Sequence, residues 1–245
     1  MPGTFIDGLD WRDGEDYAFS ADFTGGQWAW QFLRRNPAYQ AEWRAFIAIW
    51  RALERDYGRA PNRDFCQWKN DPRAWVPASK CSEGDCRIDQ ERVLIECALG
   101  ARWGFHKFPP DPAIRDAVGA GKLNWRENAI EMQWVDGEHP LSIDDAAHVA
   151  LAFDLGLPLK AQIEQAKRLL QLEQRGRVRK GRIAAPRAAA HADDWRRYLR
   201  LLDGRADGAS LEEMKAHWPD VDVAGGLVEA DRLRDGGYRR MTLLP

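Results

Sequence analysis

DDWRRYLRLLDGRADGASLEEMKAHWPDVDVAGGLVEADRLRDGGYRRM, residues Asp193–Met241, reads as three helices separated by two breaks. Asp193 and Asp194 put carboxylates at the positive end of a first helix, which the spacing runs from about Asp193 to Gly204. Trp195, Tyr198, Leu199, Leu201 and Leu202 give it an apolar side, and Gly204 and Gly208 punctuate the break. Ser210 with Glu213 three residues on is a capping box, and Leu211, Met214 and Trp218 follow at helical spacing. Pro219-Asp220 stops that second helix. A third, about Val223 to Arg234, offers Leu227, Ala230 and Leu233 as its buried side. Two short helices joined by a tight turn and braced by a longer one form the pattern of a helix-turn-helix. Trp218 and Leu227 are expected in the core of this unit. The spacing alone describes a plain three-helix packing unit equally well.

Just upstream, RGRVRKGR (Arg175–Arg182) begins a stretch with no acid between Glu173 and Asp193. Its Gly, Ala and Pro content predicts a flexible linker over 175–192. Closely spaced bases release counterions when they meet phosphates, so Arg177, Arg179, Lys180 and Arg182 are candidate backbone contacts; a solvated linker is the alternative. Leu159, Ile163, Ala166 and Leu170 line one side of a helix opened by Leu157-Pro158 and running to about Gln174. Strict alternation predicts two strands, Ala129–Val135 and Val149–Leu155, in a small antiparallel sheet.

The N-terminal third is aromatic. Acids crowd Asp7–Phe23, an expected extended lead-in. Gly25-Gly26 opens a helix that ends at Asn36-Pro37, because the residue before proline leaves the helical region. Tyr39, Trp43, Phe46, Trp50 and Leu53 then stripe a second helix, completing a helical hairpin. Arg34 and Arg35 close the first helix, either complementing its dipole or contacting phosphate. Arg59–Glu83 reads as loop and Asp89–Trp103 as helix.

Composition bounds the function. Hydrophobic content of 44% and charged content of 30% over 245 residues describe a globular chain with a real core. No run reaches the ~20 apolar residues of a membrane helix. The acidic N-terminus has no signal-peptide pattern, and four irregularly spaced cysteines form no disulfide framework, so a reducing cytoplasm is expected. No phosphate-binding P-loop, dinucleotide-binding glycine pattern, nucleophile elbow or metal-ligand spacing occurs. No catalytic residue, cofactor or metal is therefore assigned.

Specific words carry a resemblance. LRLLD (Leu199–Asp203), GAS (Gly208–Ser210) and above all LRDGGYRR (Leu233–Arg240) resemble a C-terminal domain of uncharacterised function in proteobacterial proteins, some members of which are helix-turn-helix regulators of mobile elements and secretion loci. FDLGLPL (Phe153–Leu159), Gln162 and RLL (Arg168–Leu170) are similar to the start of that domain. Trp11-Arg12, Asp16-Tyr17, WAW (Trp28–Trp30) and FLRRNPAY (Phe32–Tyr39) resemble a transcriptional-regulator-like module that often precedes it. The region from about Arg59 to Trp125 resembles the family more loosely.

The expected fold is mainly α with a small antiparallel β element, closed by a helix-turn-helix-like three-helix unit. The expected segments are a hairpin over 1–58, a connecting region over 59–128, a small sheet plus helix over 129–174, the linker over 175–192 and the three-helix unit over 193–245. The expected function is DNA-binding transcription regulation for a mobile element or neighbouring operon of a bacterium, in the cytoplasm at the nucleoid. Partners are double-stranded DNA and either a second copy or a partner regulator, with no membrane. In a helix-turn-helix the third helix reads base edges, which points to Glu229, Arg232 and Arg234, with Arg239 and Arg240 on phosphates. Most family members carry several bases where this chain has VAGGLVE (Val223–Glu229), and two glycines weaken a helix there. The competing expectation is an adaptor or anti-activator with the same fold and no DNA affinity.

Overall fold

The computed structural model describes residues 8–81, 91–116, 123–126 and 147–245. Among these residues helix dominates and one two-stranded antiparallel sheet accompanies it, so the fold class is mainly α with a small β element.

The centre is helix α1, Gly25–Arg34. Thr24 and Gln27 form a reciprocal capping box at its start: the Thr24 side chain accepts from the Gln27 backbone, and Gln27 Oε1 accepts from the Thr24 N–H at 2.9 Å. Eight of its ten residues are buried, which is the signature of a helix covered on every side. Asn36 ends the connection and caps helix α2, Pro37–Tyr57, its Oδ1 accepting from Ala38 N at 2.9 Å and Tyr39 N at 3.0 Å. The stripe of α2 packs as the spacing demands: Tyr39, Trp43, Phe46 and Leu53 are buried and Trp50 is half-buried. Helix α3, Phe65–Asn70, sets Trp68 against Trp50 at 5.0 Å, and the Arg63 guanidinium lies 3.7 Å over the Trp68 ring.

The sheet lies elsewhere than expected. Strands β1 (Trp75–Pro77) and β2 (Arg92–Leu94) pair with Val76 opposite Val93. The first strand falls in the expected loop, and the second takes the first turn of the expected 89–103 helix, so helix α4 runs Ile95–Trp103. Gly104, at φ 90°, caps it in the left-handed conformation that glycine adopts without a Cβ penalty. Of the two expected strands, 129–135 lies outside the described residues. Residues 149–155 form no strand: Asp154 turns the chain, its Oδ1 accepting from Gly156 N at 2.8 Å and its backbone N–H bonding Gln162 Oε1 at 2.9 Å. A side chain bonding its own backbone supplies a turn that alternation alone does not exclude. Cys97 is buried beside Ala78 and Val93 and is disulfide-bonded, which corrects the expectation of reduced cysteines; Cys66 and Cys81 are free.

Helix α5, Leu159–Arg179, passes through the first five residues of the expected linker, so the basic run is helical over 175–179. Three arginines favour helix against Gly176 and Val178, and nothing before Lys180 stops it. Helices α6 (Ala192–Ala206), α7 (Leu211–His217) and α8 (Val223–Arg232) follow, then a wide turn at Leu233–Gly237 and a short helix α9, Tyr238–Met241. The expected third helix of the C-terminal unit thus ends two residues early. Met214, Val223, Ala230 and Leu233 are buried there, while Trp218 and Leu227, expected in the core, are half-buried at its edge. The acidic N-terminal stretch is a correction too. Leu9, Trp11 and Tyr17 are buried, and residues Glu15–Ser20 form a 3-10 turn, because apolar rings among the acids find a core.

Helices α1 and α9 meet without room for a side chain. A Cβ on Gly25 would lie 1.9 Å from the Met241 carbonyl oxygen and 2.5 Å from that of Leu244, and the Gly25 N–H already donates to the latter at 3.2 Å. Gly25→Ala is therefore expected to destabilise the protein by roughly 1–3 kcal/mol in urea melts, since backbone must shift. Glu96 supplies a pH signature. Burial raises its carboxyl above the ordinary 4.5, against the pull of Arg63 and Lys107, and its Oε2 has no hydrogen-bond partner among the described residues. A raised folded-state pKa means that ionisation costs stability as pH climbs from the unfolded value. Glu96→Gln should stabilise the protein at about pH 7, with the gain fading below about pH 4, as followed by melts across pH.

Candidate nucleic-acid interface

The three helices α6–α8 are shaped by caps and by one close approach. The Ser210 hydroxyl accepts from Glu213 N at 3.2 Å while Glu213 accepts from Ser210 N at 2.7 Å, which fixes the start of α7 as the sequence indicates. Asp222 caps α8, accepting from Gly225 N at 3.0 Å. A Cβ on Gly226 would come 2.8 Å from Leu201 Cδ1, so glycine there lets α8 lie close on α6. The two glycines that weaken α8 as an isolated helix are what fit its cap and its packing.

Around α8, most of the charges are paired. Arg232 Nε donates to Glu229 Oε2 at 2.7 Å, and this bond is the largest influence holding the Glu229 carboxyl below its ordinary range. Arg234 bonds Asp231 at 2.8 Å and Asp235 at 2.7 Å, with its side chain only 17% exposed. Arg205, on α6, reaches Asp231 at 2.8 Å. Two arginines thus face three carboxylates between Val223 and Gly237. A guanidinium reads a guanine edge with paired donors, and these donors are already engaged.

The other candidates divide. Arg239 turns inward, donating to the Arg102 carbonyl beside Tyr238, whose hydroxyl donates to the Trp103 carbonyl at 3.1 Å. Arg240 is exposed at the surface of α9. At the end of α5, Arg177 bonds Glu173 at 2.8 Å and the His148 carbonyl at 3.0 Å, while Arg179, Lys180 and Arg182 are exposed. The basic run is therefore the most accessible cationic feature among these candidates. Among the described residues no cluster of three or more His, Cys, Asp or Glu side chains could hold a metal, and no helix is long and apolar enough to cross a membrane.

Two arginines that read in the sequence as surface cations are buried in polar junctions. Arg35 meets Asp203 with two bonds of 2.7 Å, Nε to Oδ1 and Nη2 to Oδ2, and these side chains are only 4% and 15% exposed. The Tyr17 hydroxyl donates to the same carboxylate at 2.8 Å; burial first, then the Asp203 charge, pushes its ionisation far above the ordinary range. Asn36 Nδ2 donates to Asp235 at 3.0 Å. Arg34 is fully buried and bonds the Pro112 carbonyl at 3.0 Å. Neither Arg34 nor Arg35 is free for phosphate. Trp11 enters a second core with Leu201, Met214 and Val223, and Arg200 donates to its carbonyl at 2.8 Å. Two distinctive words of the sequence, the RRN of Phe32–Tyr39 and the LRLLD of Leu199–Asp203, touch through Arg35 and Asp203. No single segment could reveal that pairing.

Residues 10–68 match the family model of a proteobacterial transcriptional regulator-like domain. The match covers about a quarter of the chain. It begins just before Trp11 and ends at Trp68, so it takes in the first four residues of α3 and runs past the expected boundary at residue 58. Among curated proteins and solved structures, nothing matches the chain. The regulator-like stretch carries the arginine of the buried pair, and the three-helix unit carries the carboxylate.

Removing one partner of a buried pair leaves an uncompensated charge. Arg35→Ala or Asp203→Ala should each cost roughly 3–5 kcal/mol, whereas Arg35→Met with Asp203→Leu should cost less than either. Tyr17→Phe should cost only about 1 kcal/mol, because Asp203 keeps both arginine bonds. Denaturant melts of the four variants check that order.

Proposed function

We propose that the chain is a bacterial transcription regulator acting on DNA, in which the regulator-like stretch and a helix-turn-helix-like unit work as one body. The observation that carries this reading is the regulator-like match over residues 10–68, joined to the three-helix unit through Arg35 and Asp203. The resemblance of the C-terminal words to regulators of proteobacterial mobile elements supports the same context, with the cytoplasm and nucleoid as its place of action. The phosphate contacts are assigned to Arg177, Arg179, Lys180 and Arg182 at the end of α5, with Arg240 as a further surface cation. Base contacts fall to Arg232, once it leaves Glu229, and to Arg234. No catalytic residue, cofactor or metal enters this function.

A second reading, a protein-binding adaptor without DNA affinity, is favoured by one specific observation: Arg232 and Arg234 are neutralised by Glu229, Asp231 and Asp235. Mobility shifts on DNA upstream of the chain's own gene, taken across salt concentrations, separate the two. Under the regulator reading, replacing Arg177, Arg179, Lys180 and Arg182 together by Ala weakens binding to every sequence and flattens the salt slope by ~0.9 for each phosphate no longer neutralised. Arg232→Ala costs ~1–3 kcal/mol at one base position and leaves the slope nearly unchanged. Absence of salt-sensitive binding by the wild-type protein would favour the adaptor.

A further inference from the structure

Helix α5 is amphipathic, and the described residues leave it uncovered. It has 21 residues, spanning about 31 Å, and not one of them is buried. Leu159, Ile163, Ala166 and Leu170 recur at spacings of four, three and four, the repeat of a coiled-coil seam. Leu159, Ile163 and Leu170 are each 40% exposed or more, and Leu169 and Leu172 widen the apolar side. A helix that leaves its apolar stripe in water forgoes the burial that normally stabilises it.

Charge selects what can lie on it. Lys160 and Lys167 occupy equivalent positions directly beside the seam, the positions whose charges set partner choice. Over its whole length α5 carries six bases against Glu164 and Glu173. A second copy is disfavoured in both orientations. Antiparallel pairing would set Lys160 against Lys167 of the other helix, and parallel pairing would set Arg177, which continues the seam, against its own equivalent. We propose that the exposed face of α5 is a docking site for an amphipathic helix of another protein, with a leucine-type seam flanked by glutamate or aspartate. This surface is independent of how α8 engages DNA.

The test uses the full chain and a labelled helical peptide as long as α5, with Leu at both seam positions and Glu at both flanking positions. An otherwise identical peptide with Lys at the flanks is the control. In fluorescence anisotropy the acidic peptide should bind saturably and at least roughly tenfold tighter than the control, and added salt should weaken it. Ile163→Asp with Leu170→Asp should abolish binding without shifting the thermal melt, because both side chains are exposed. Lys160→Glu with Lys167→Glu should reverse the peptide preference. Four results overturn the proposal: no saturation below about 100 µM; equal binding of the two peptides; a wild-type dimer in sedimentation that the double Asp variant splits; or tighter binding of α5 to phosphatidylserine vesicles than to the acidic peptide.

Discussion

The guanidinium of Arg35 is held between two parts of the chain that lie 168 residues apart, and the rest of the architecture depends on where it sits. A charge of that kind, removed from water, is tolerated only when its donors are matched. Asp203 matches two of them, the Gln31 carbonyl takes a third at 2.8 Å, and Tyr17 completes the carboxylate. That geometry exists only if the end of α1 abuts the last turn of α6. Once it does, Trp28 meets Trp195 edge-to-face at 5.5 Å, and the N-terminal stretch is led past α6 so that Trp11 can fill the space that Gly204 leaves open. A Cβ on Gly204 would lie 2.9 Å from the Trp11 ring.

This junction constrains how the protein could regulate anything. The regulator-like stretch and the three-helix unit share buried side chains and an ion pair, so they move together rather than as beads on a linker. Among the described residues, α5 stands between the two halves in sequence and exposes leucines together with Arg179. Exposed cationic and apolar side chains therefore share one helix, while the charges of α8 are paired, Glu229 with Arg232 and Asp231 with Arg205 of α6 and with Arg234.

Local chemistry is readable from residues. The Thr24 and Ser210 capping boxes, the Asn36-Pro37 joint and the Tyr39–Leu53 stripe each depend on contacts within a few positions, and each is legible. Helix boundaries at Ala192–Ala206 and Leu211–His217 follow from the same short-range rules. The β pairing of Val76 with Val93 is not legible, because three-residue strands bury too little to leave a periodic trace. Alternation at Val149–Leu155 points the other way, since a period of two has meaning only when a partner strand exists.

Among the candidate site residues the division is the same. Arg177, Arg179, Lys180 and Arg182 are close in sequence, and a run without intervening acids keeps its charge wherever it is placed. For Arg232 and Arg234 the sequence also holds the partner carboxylates within one helical turn, while for Arg239 it supplies the residue type alone. The pairs Arg232–Glu229 and Arg234–Asp231 are i,i+3 contacts that follow once the segment is helical, whereas the turn of Arg239 toward the Arg102 carbonyl is decided only by the packing of α9 on α4. Short-range bonding determined the elements; long-range burial, matching Arg35 to Asp203 and Trp11 to Gly204, determined how those elements close into one molecule.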